Sequence, residues 1–392
     1  MRITGLHTTV VAVPFRREER WAFGGRTGMT AVLLELETDE GIVGLAEAAG
    51  YPTPDIVLAV FRSLEPLVVG EDPLRIERLI NRIDAVGTWH HVKASSPAIA
   101  AVETACWDVL GKVCDQPVVS LLGGPVREEA DYFWYLARGT PEETAAQASE
   151  AVDAGFSTLY LKVGWGEPRD DFALVEAVRQ AAGPEAGIRV DANESWSTAA
   201  AIPIIRELEA YGLELVEQPT SGRNLTEMAY LRSRIDTPLL ANEASWTRHD
   251  VLEVIRHGAA DVVSVDQQMD GGLLNMKRAA GICDAAGVPV LKHSLGELGV
   301  ATYAGLHVIA STPNFLRASQ AYGSLLADDV IEGMDALPYE NGRLRVPDGP
   351  GLGVSLDRDK VARYAELYRE RGAEFAFHDP RALAPTPLIP KR

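Results

Sequence analysis

The sequence predicts an α/β protein in which a (β/α)8 barrel follows a smaller α+β unit. Eight short apolar runs alternate with amphipathic helical stretches from Asp131 onward, the pattern of parallel strands joined by crossover helices. Ahead of them the chain is first β-rich and then helical. Seven of the runs end in a polar residue, and these residues recur at the spacing of one βα unit.

The opening segments "ITGLHTTVVAVPF" and "MTAVLLELETDEGIVGLAEAA" read as strands, the second pair joined by the turn "TDEG". From Asp55 to about Leu122 the pattern is helical. There "SSPAIAAVETACWDVLGKVC" carries small and apolar residues at helical spacing after a Ser-Pro start. "LLGGPVREE" breaks that helix, so residues 1–127 form the α+β unit. Residues 128–336 hold the runs "YFWYLA", "TLYLKVG", "GIRVDAN", "LELVEQP", "TPLLANE", "ADVVSVD", "VPVLKHS" and "FLRASQ". Eight units over roughly 200 residues suit a closed barrel. Then "LPYENGRLRVPDGPGLGVSLD" reads as loop and hairpin, and "RDKVARYAELYRERG" as a last helix before a Pro-rich tail. Residues 337–392 are expected to return to the first unit.

A hydrophobic fraction of 46% and a charged fraction of 24% are those of a soluble globular chain. A formal net charge of −19 argues against nucleic acid and anionic membranes as partners. It does not exclude a small acidic substrate, because the charge of a site can oppose that of the whole. Cys106, Cys114 and Cys283 form neither a metal-ligand spacing nor a disulfide framework, and the first two read as core residues of a helix. The N-terminus lacks a basic stretch followed by an apolar one, and no apolar run reaches membrane-spanning length, so a cytoplasmic protein is expected.

The polar strand ends are Lys162, Asp191, Glu217, Glu243, Asp266, His293 and Gln320, with successive separations of 29, 26, 26, 23, 27 and 27 residues. Barrel active sites are built at the C-terminal ends of successive strands. Any barrel has some polar strand ends, but seven in succession go beyond packing. Asp191, Glu217 and Glu243 (or Asn242) would repel one another unless a cation joins them. Oxygen ligands without cysteine suit a hard ion, with Mg²⁺ the natural candidate. Lys162 stands on one flank. Asp266 and His293 stand on the other, close enough to pair, which would fix the imidazole tautomer. A divalent ion between two bases suits removal of a proton next to a carboxylate. Tyr160 lies two residues before Lys162 and shares its face of the strand. Asn193 shares a face with Asp191 in the same way.

Several segments resemble the enolase superfamily, in its mandelate racemase and muconate lactonizing branch. They are "ETDEGIVGLAEA", "AIAAVETACWDVLGKVCDQPVVSLLGG", "IRVDANESW", "LVEQP" and "DGGLLNMKRAAGICDAAGVPVLKHS", in family order over almost the whole chain. The resemblance implies a modified TIM barrel under an α+β capping domain, Mg²⁺ as cofactor, and a small-molecule carboxylate substrate. It also implies a homo-oligomer, either a dimer or an octamer. Asp191 and Glu217 match the first two Mg²⁺ ligands, Lys162 the second lysine of a Lys-x-Lys motif, and Asp266 with His293 a His-Asp dyad. Two segments, "SSPAIAAVETACWDVLGKVCDQPVVSLLGG" and "NGRLRVPDGPGLGVSLD", look particularly like acid-sugar dehydratases of the glucarate type.

Three positions depart from the family pattern. Tyr160 stands where a lysine usually faces the substrate carboxylate. In "LLANEAS" either Glu243 or Asn242 is the third ligand, with Glu243 preferred because a third negative charge binds Mg²⁺ better. Gln320 replaces an acid that contacts substrate. By the resemblance Trp21 and Arg26 lie in a glycine-rich capping lid and Tyr51 in a second capping loop, so all three are substrate-facing candidates. His90 and His91 precede a helix and receive no role. The expected reaction is Mg²⁺-dependent dehydration of an acid sugar to a 2-keto-3-deoxy acid, with Lys162 as base and His293 as acid. The alternative is racemisation, epimerisation or lactone cycloisomerisation of a carboxylate, and a non-catalytic relative is the third reading.

Overall fold

The first fifty residues pair as an antiparallel sheet of β1 (Ile3–Trp21), β2 (Gly24–Thr38) and β3 (Val43–Ala49). The computed structural model describes residues 1–86 and 92–375, so His90, His91 and the Pro-rich tail lie outside the described residues. Pairing of β1 with β2 continues to the tip, where Glu19 faces Arg26 and Trp21 faces Gly24. The segment expected to be a glycine-rich loop is therefore a hairpin turning at Ala22 and Phe23. A register shift between Pro14 and Glu19 marks where it bends away from the sheet.

Helices α1 (Pro54–Val68), α2 (Ile76–Ala85) and α3 (Val92–Cys114) follow, then the short α4 (Val118–Leu121). Thr53 caps α1 with its side chain, and Pro54 occupies the first turn, where its missing N–H costs nothing. The sheet and these helices enclose a core that includes Leu34, Phe61, Leu79 and Val102. Cys106 belongs to it, whereas Cys114 is exposed at the end of α3, contrary to its expected core position.

After β4 (Glu129–Asp131) the chain alternates strand and helix: β5 (Trp134–Leu136), α5 (Pro141–Asp153), β6 (Thr158–Lys162), α6 (Pro168–Ala182), β7 (Gly187–Asp191), α7 (Thr198–Leu208) and β8 (Leu215–Glu217). It continues with α8 (Leu225–Arg232), β9 (Leu239–Ala241), α9 (Arg248–His257), β10 (Val262–Val265), α10 (Leu273–Ala285), β11 (Val290–Lys292) and α11 (Gly299–Ala310). Helix starts are encoded locally: Thr140 with Glu143 and Thr247 with Asp250 form reciprocal capping boxes. Strands β5 to β11 form one seven-stranded parallel sheet in sequential order. The run "FLRASQ", expected as an eighth strand, is not one. It makes isolated bridges, Phe315 to Val290 and Ser319 to Tyr132, between the two edges of the curled sheet.

Two ladders set the site. Lys162 pairs with Asp191 across β6 and β7, and Asp191 pairs with Glu217 across β7 and β8. In a parallel ladder such partners lie side by side on one face.

The segment past residue 336 adds β12 (Arg343–Arg345), antiparallel to β4, and α12 (Arg358–Arg371), which packs on β1. Carboxylates tie the first unit to the sheet-and-helix unit. Glu47 of β3 accepts from the Leu298 and Ala301 N–H groups at the start of α11, at 2.6 and 3.0 Å. Glu103 of α3 accepts from Leu273 and Leu274 at the start of α10. Both use the unpaired donors and positive end of a helix N-terminus.

Buried His307 of α11 joins three segments. Its Nδ1 accepts from the Val119 N–H and its Nε2 donates to the Leu352 carbonyl, each at 3.2 Å. Burial pushes its pKa down to about 4. The unfolded chain takes up this proton below about pH 6.5 and the folded chain only below about 4, so stability is lost as pH falls through that window. Urea unfolding at pH 7 and pH 4 should show a loss of roughly 3 kcal/mol that a His307→Gln variant lacks. Equal losses in both proteins would refute this account.

Candidate active site

Asp191 is the hub. Its Oδ2 accepts from Lys162 Nζ and from the Tyr160 hydroxyl, both at 2.5 Å, and its Oδ1 accepts from the Asn193 N–H at 2.8 Å. Asn193 also donates from Nδ2 to Glu243 Oε1 at 2.9 Å. The other Glu243 oxygen, Oε2, is buried without a hydrogen-bond partner among the described residues. Burial, then the Asp191 charge, push Glu243 up to about 8, and the same two causes push Glu217 well above the carboxylate range. These shifts record burial first and then repulsion from neighbouring carboxylates.

The donor set fits a hard divalent cation: oxygen ligands from three neighbouring strand ends, one of them orphaned. Asn242 fits less well, because its Oδ1 already accepts from Ser264 Oγ at 3.1 Å. Among the described residues no three His, Cys, Asp or Glu side chains already converge as a metal cage. A cation held here would require these carboxylates to turn toward one another. Gln218, unremarked in the sequence, pins the backbone around Glu243. Its Oε1 accepts from the Asn242 and Ala244 N–H groups at 2.9 and 3.0 Å, one on each side of Glu243.

The Lys162 pKa lies above its ordinary value. Burial lowers it, but Asp191, Glu217 and Glu19 outweigh burial and raise it. Five strands away in the sheet order, His293 Nδ1 stands 3.1 Å from Asp266 Oδ2. Asp266 is oriented in turn by the Gln268 N–H at 2.7 Å. With a carboxylate as its partner Nδ1 carries the proton, which leaves Nε2 as the ring's basic nitrogen.

Lys162, Asn193, Asn242, Glu243 and His293 line one cavity of about 390 Å³. Gln320 lines it too, its Oε1 held by the Ser294 N–H at 3.3 Å. The hairpin supplies Trp21 and Phe23, and Tyr51 joins Trp246 on the same wall, their rings 6.1 Å apart. Two of the substrate-facing candidates do not line the cavity. Tyr160 is fully buried and does not line the cavity, because its hydroxyl is turned onto Asp191. Arg26 does not line it either. Its guanidinium lies behind the wall over Phe15 and Tyr322, with Nε on Glu19 Oε2 at 2.5 Å.

Glu19 itself does line the cavity, as does Glu194. The signal for Glu19 was present in the sequence: Glu19 and Arg26 are equidistant from the hairpin turn and opposite in charge. Glu194 had no such signal. It follows Asn193 in a pair of residues with φ of +64° and +44°, which no periodicity predicts.

Burial, outweighing the Asp266 hydrogen bond and charge, lowers the His293 pKa. NMR titration should find it below 6.5 in the folded chain, and Asp266→Asn should move it lower still. A rise on that substitution would overturn the pairing.

Comparison with known proteins follows the same lines. Residues 143–360 match the enolase C-terminal domain-like family, and residues 5–123 match the mandelate racemase / muconate lactonizing enzyme N-terminal domain. The N-succinyl-L-Arg/Lys racemase of Bacillus cereus is 29% identical over 92% of this chain and 97% of its own length. Muconate cycloisomerase 1-1 of Acinetobacter lwoffii is 32% identical over 92% and 96%. The dipeptide epimerase of Enterococcus faecalis, solved with Mg and L-Leu-L-Tyr, superposes with a TM-score of 0.83 at 28% identity, covering 91% of this chain and 100% of that one. This chain is an enzyme of the enolase superfamily and belongs to its mandelate racemase / muconate lactonizing branch.

Proposed function

We propose that this enzyme is an isomerase working through a carbanion α to a carboxylate: either a proton is removed from the α-carbon and returned to it, as in racemases and epimerases, or a carboxylate adds to a conjugated double bond and the α-carbon is then protonated, as in cycloisomerases. One observation carries the reading. Lys162 and His293, from strands near opposite ends of the sheet, line one cavity, and the strands between them supply Asp191, Glu217 and Glu243. Proton-transfer groups on two flanks allow removal on one face and return on the other. The relatives named above are racemases, epimerases or cycloisomerases, whereas dehydration of an acid sugar, the reaction expected from the sequence, is not among their activities.

Asp191, Glu217 and Glu243 would hold Mg²⁺, which when bound supplies positive charge to the substrate carboxylate and makes its α-proton more acidic. With the three carboxylates compensated, burial is left to set Lys162, and burial favours the neutral amine that a base requires. Asp266 stabilises His293 when its Nε2 has taken a proton. Tyr160 steers Asp191 without adding positive charge. Gln218 keeps Glu243 turned toward the other two carboxylates.

The test is α-proton exchange in D₂O, followed by NMR, with Mg²⁺ and a panel of muconate, N-succinyl amino acids, dipeptides, aldonic acids and aldaric acids. Exchange or inversion without loss of water is expected for at least one class. Lys162→Ala and His293→Asn should each slow it by about 10³-fold, and Tyr160→Phe by about tenfold. Release of a 2-keto acid would establish dehydration instead. Absence of exchange on every compound, in wild type and variants alike, would refute the α-proton reading. By calorimetry Gln218→Ala should weaken Mg²⁺ binding by about 10- to 100-fold, and unchanged affinity would remove Gln218 from the positioning role.

A further inference from the structure

The charge on the cavity wall narrows the substrate. Among the described residues that line the cavity, only Lys162 and His293 can carry positive charge, and both belong to the proton-transfer machinery. Three carboxylates line it: Glu19, Glu194 and Glu243. Glu19 is neutralised by Arg26, and its Oε1 accepts from the Tyr135 hydroxyl at 2.7 Å. Glu243 belongs to the cation-binding row. That leaves Glu194, whose Oε1 accepts from the Gly222 N–H at 2.7 Å and which makes no ion pair among the described residues. Lys93 does not line the cavity and holds its Nζ over the Trp246 ring at 4.6 Å. The uncharged wall combines aromatic and apolar groups, Trp21, Phe23, Tyr51, Trp246, Leu295 and Tyr322, with the neutral polar side chains of Asn193, Asn242, Ser294 and Gln320.

Resting on the α-proton reading above, we propose that the substrate carries one carboxylate only. The rest of it presents an apolar face to the rings and a hydrogen-bond donor, hydroxyl or ammonium, to Glu194. The first carboxylate belongs with Lys162 and the cation. A second would stand beside Glu194 with no described cation to receive it, and like charges brought together without a partner are disfavoured. Muconate and N-succinyl amino acids carry two carboxylates, so this cavity selects against them. Glu194 thereby acts as a specificity residue.

The test uses the Mg²⁺-loaded full chain and matched acids: D-gluconate against D-glucarate, D-galactonate against D-galactarate, and L-Leu-L-Tyr against N-succinyl-L-lysine. Binding is measured by calorimetry and α-exchange by NMR. In at least one pair the monoacid should bind about 100-fold or more tightly than the diacid. The sugar pairs report a hydroxyl donor, the dipeptide an ammonium. Glu194→Gln should narrow the gap and Glu194→Lys should reverse it, chiefly in KM. Equal binding of a diacid by wild type would overturn the proposal, as would a preference unchanged by Glu194→Lys, or binding of no monoacid. Diacid binding abolished by Lys93→Ala would overturn it too, by naming the missing cation. Monoacid binding without α-exchange would refute the reaction and leave the charge assignment standing. Exchange on a diacid as fast as on its monoacid would do the reverse.

Discussion

Two buried carboxylates, with a half-buried third beyond the next strand end, are the constraint around which this site is built. The parallel register puts Asp191 beside Glu217, and the next strand end brings Glu243 into the field of Asp191. Two unit charges about 4 Å apart repel by about 4 kcal/mol at an effective dielectric of 20. Lys162 relieves part of this directly. Arg189 adds relief from below: it lies two residues before Asp191 on the same face and is held by Glu214 and the Ala318 carbonyl. Glu217 and Glu243 stay raised all the same, by burial first and then by the Asp191 charge. A fold that keeps such a row has a reason other than stability to do so.

The backbone bears the same imprint. Asn193, Glu194 and Gln218 have φ of +44°, +64° and +33°, all just beyond strand ends that carry these acids. Left-handed residues other than glycine cost roughly 1–3 kcal/mol each and persist only where neighbours over-determine them. Here the neighbours are specific. The Asn193 N–H is held by Asp191, Glu194 holds the Gly222 N–H, and Gln218 holds two N–H groups around Glu243. Strain and hydrogen bonds together fix where the carboxylates stand, supported by the packed core beneath. Above them, Glu47 and Glu103 dock the first unit onto the starts of α11 and α10, which sets the hairpin of Trp21 over the mouth.

The legible part of the sequence was the part governed by period. Apolar runs ending in one polar group per βα unit revealed Lys162, Asp191, Glu217, Asp266 and His293, because burial on both faces leaves strand ends as the place for such groups. Where period fails, reading failed. "FLRASQ" has the apolar start of a strand but only bridges the sheet edges. Alternation put Tyr160 on the Lys162 face correctly, yet could not show that its hydroxyl stops at Asp191 rather than reaching the cavity. Asn242 and Glu243 could not be separated by alternation, because the strand ends at Ala241 and a 3-10 turn begins at Glu243. Gln218 and Glu194 depend on positive φ, which leaves no mark in a hydrophobic pattern.

The tyrosine at position 160 bears on what the site can bind. A lysine there would add a second buried ammonium beside Asp191 and shift the local balance by a full charge. The phenol donates one hydrogen bond to the same oxygen and adds none. Its own proton is secure, since burial and then the Asp191 charge push its pKa well above the usual range. Lys162 is thus the one ammonium against the carboxylate row, and the only lysine or arginine among the described cavity-lining residues. The absence of a second cation weakens the hold on any substrate carboxylate that the metal row does not itself attract. In a cavity whose other free charge is Glu194, recognition falls to aromatic faces and hydrogen-bond donors. The substitution inside the strand and the acid at the rim thus act in the same direction, although neither touches the other.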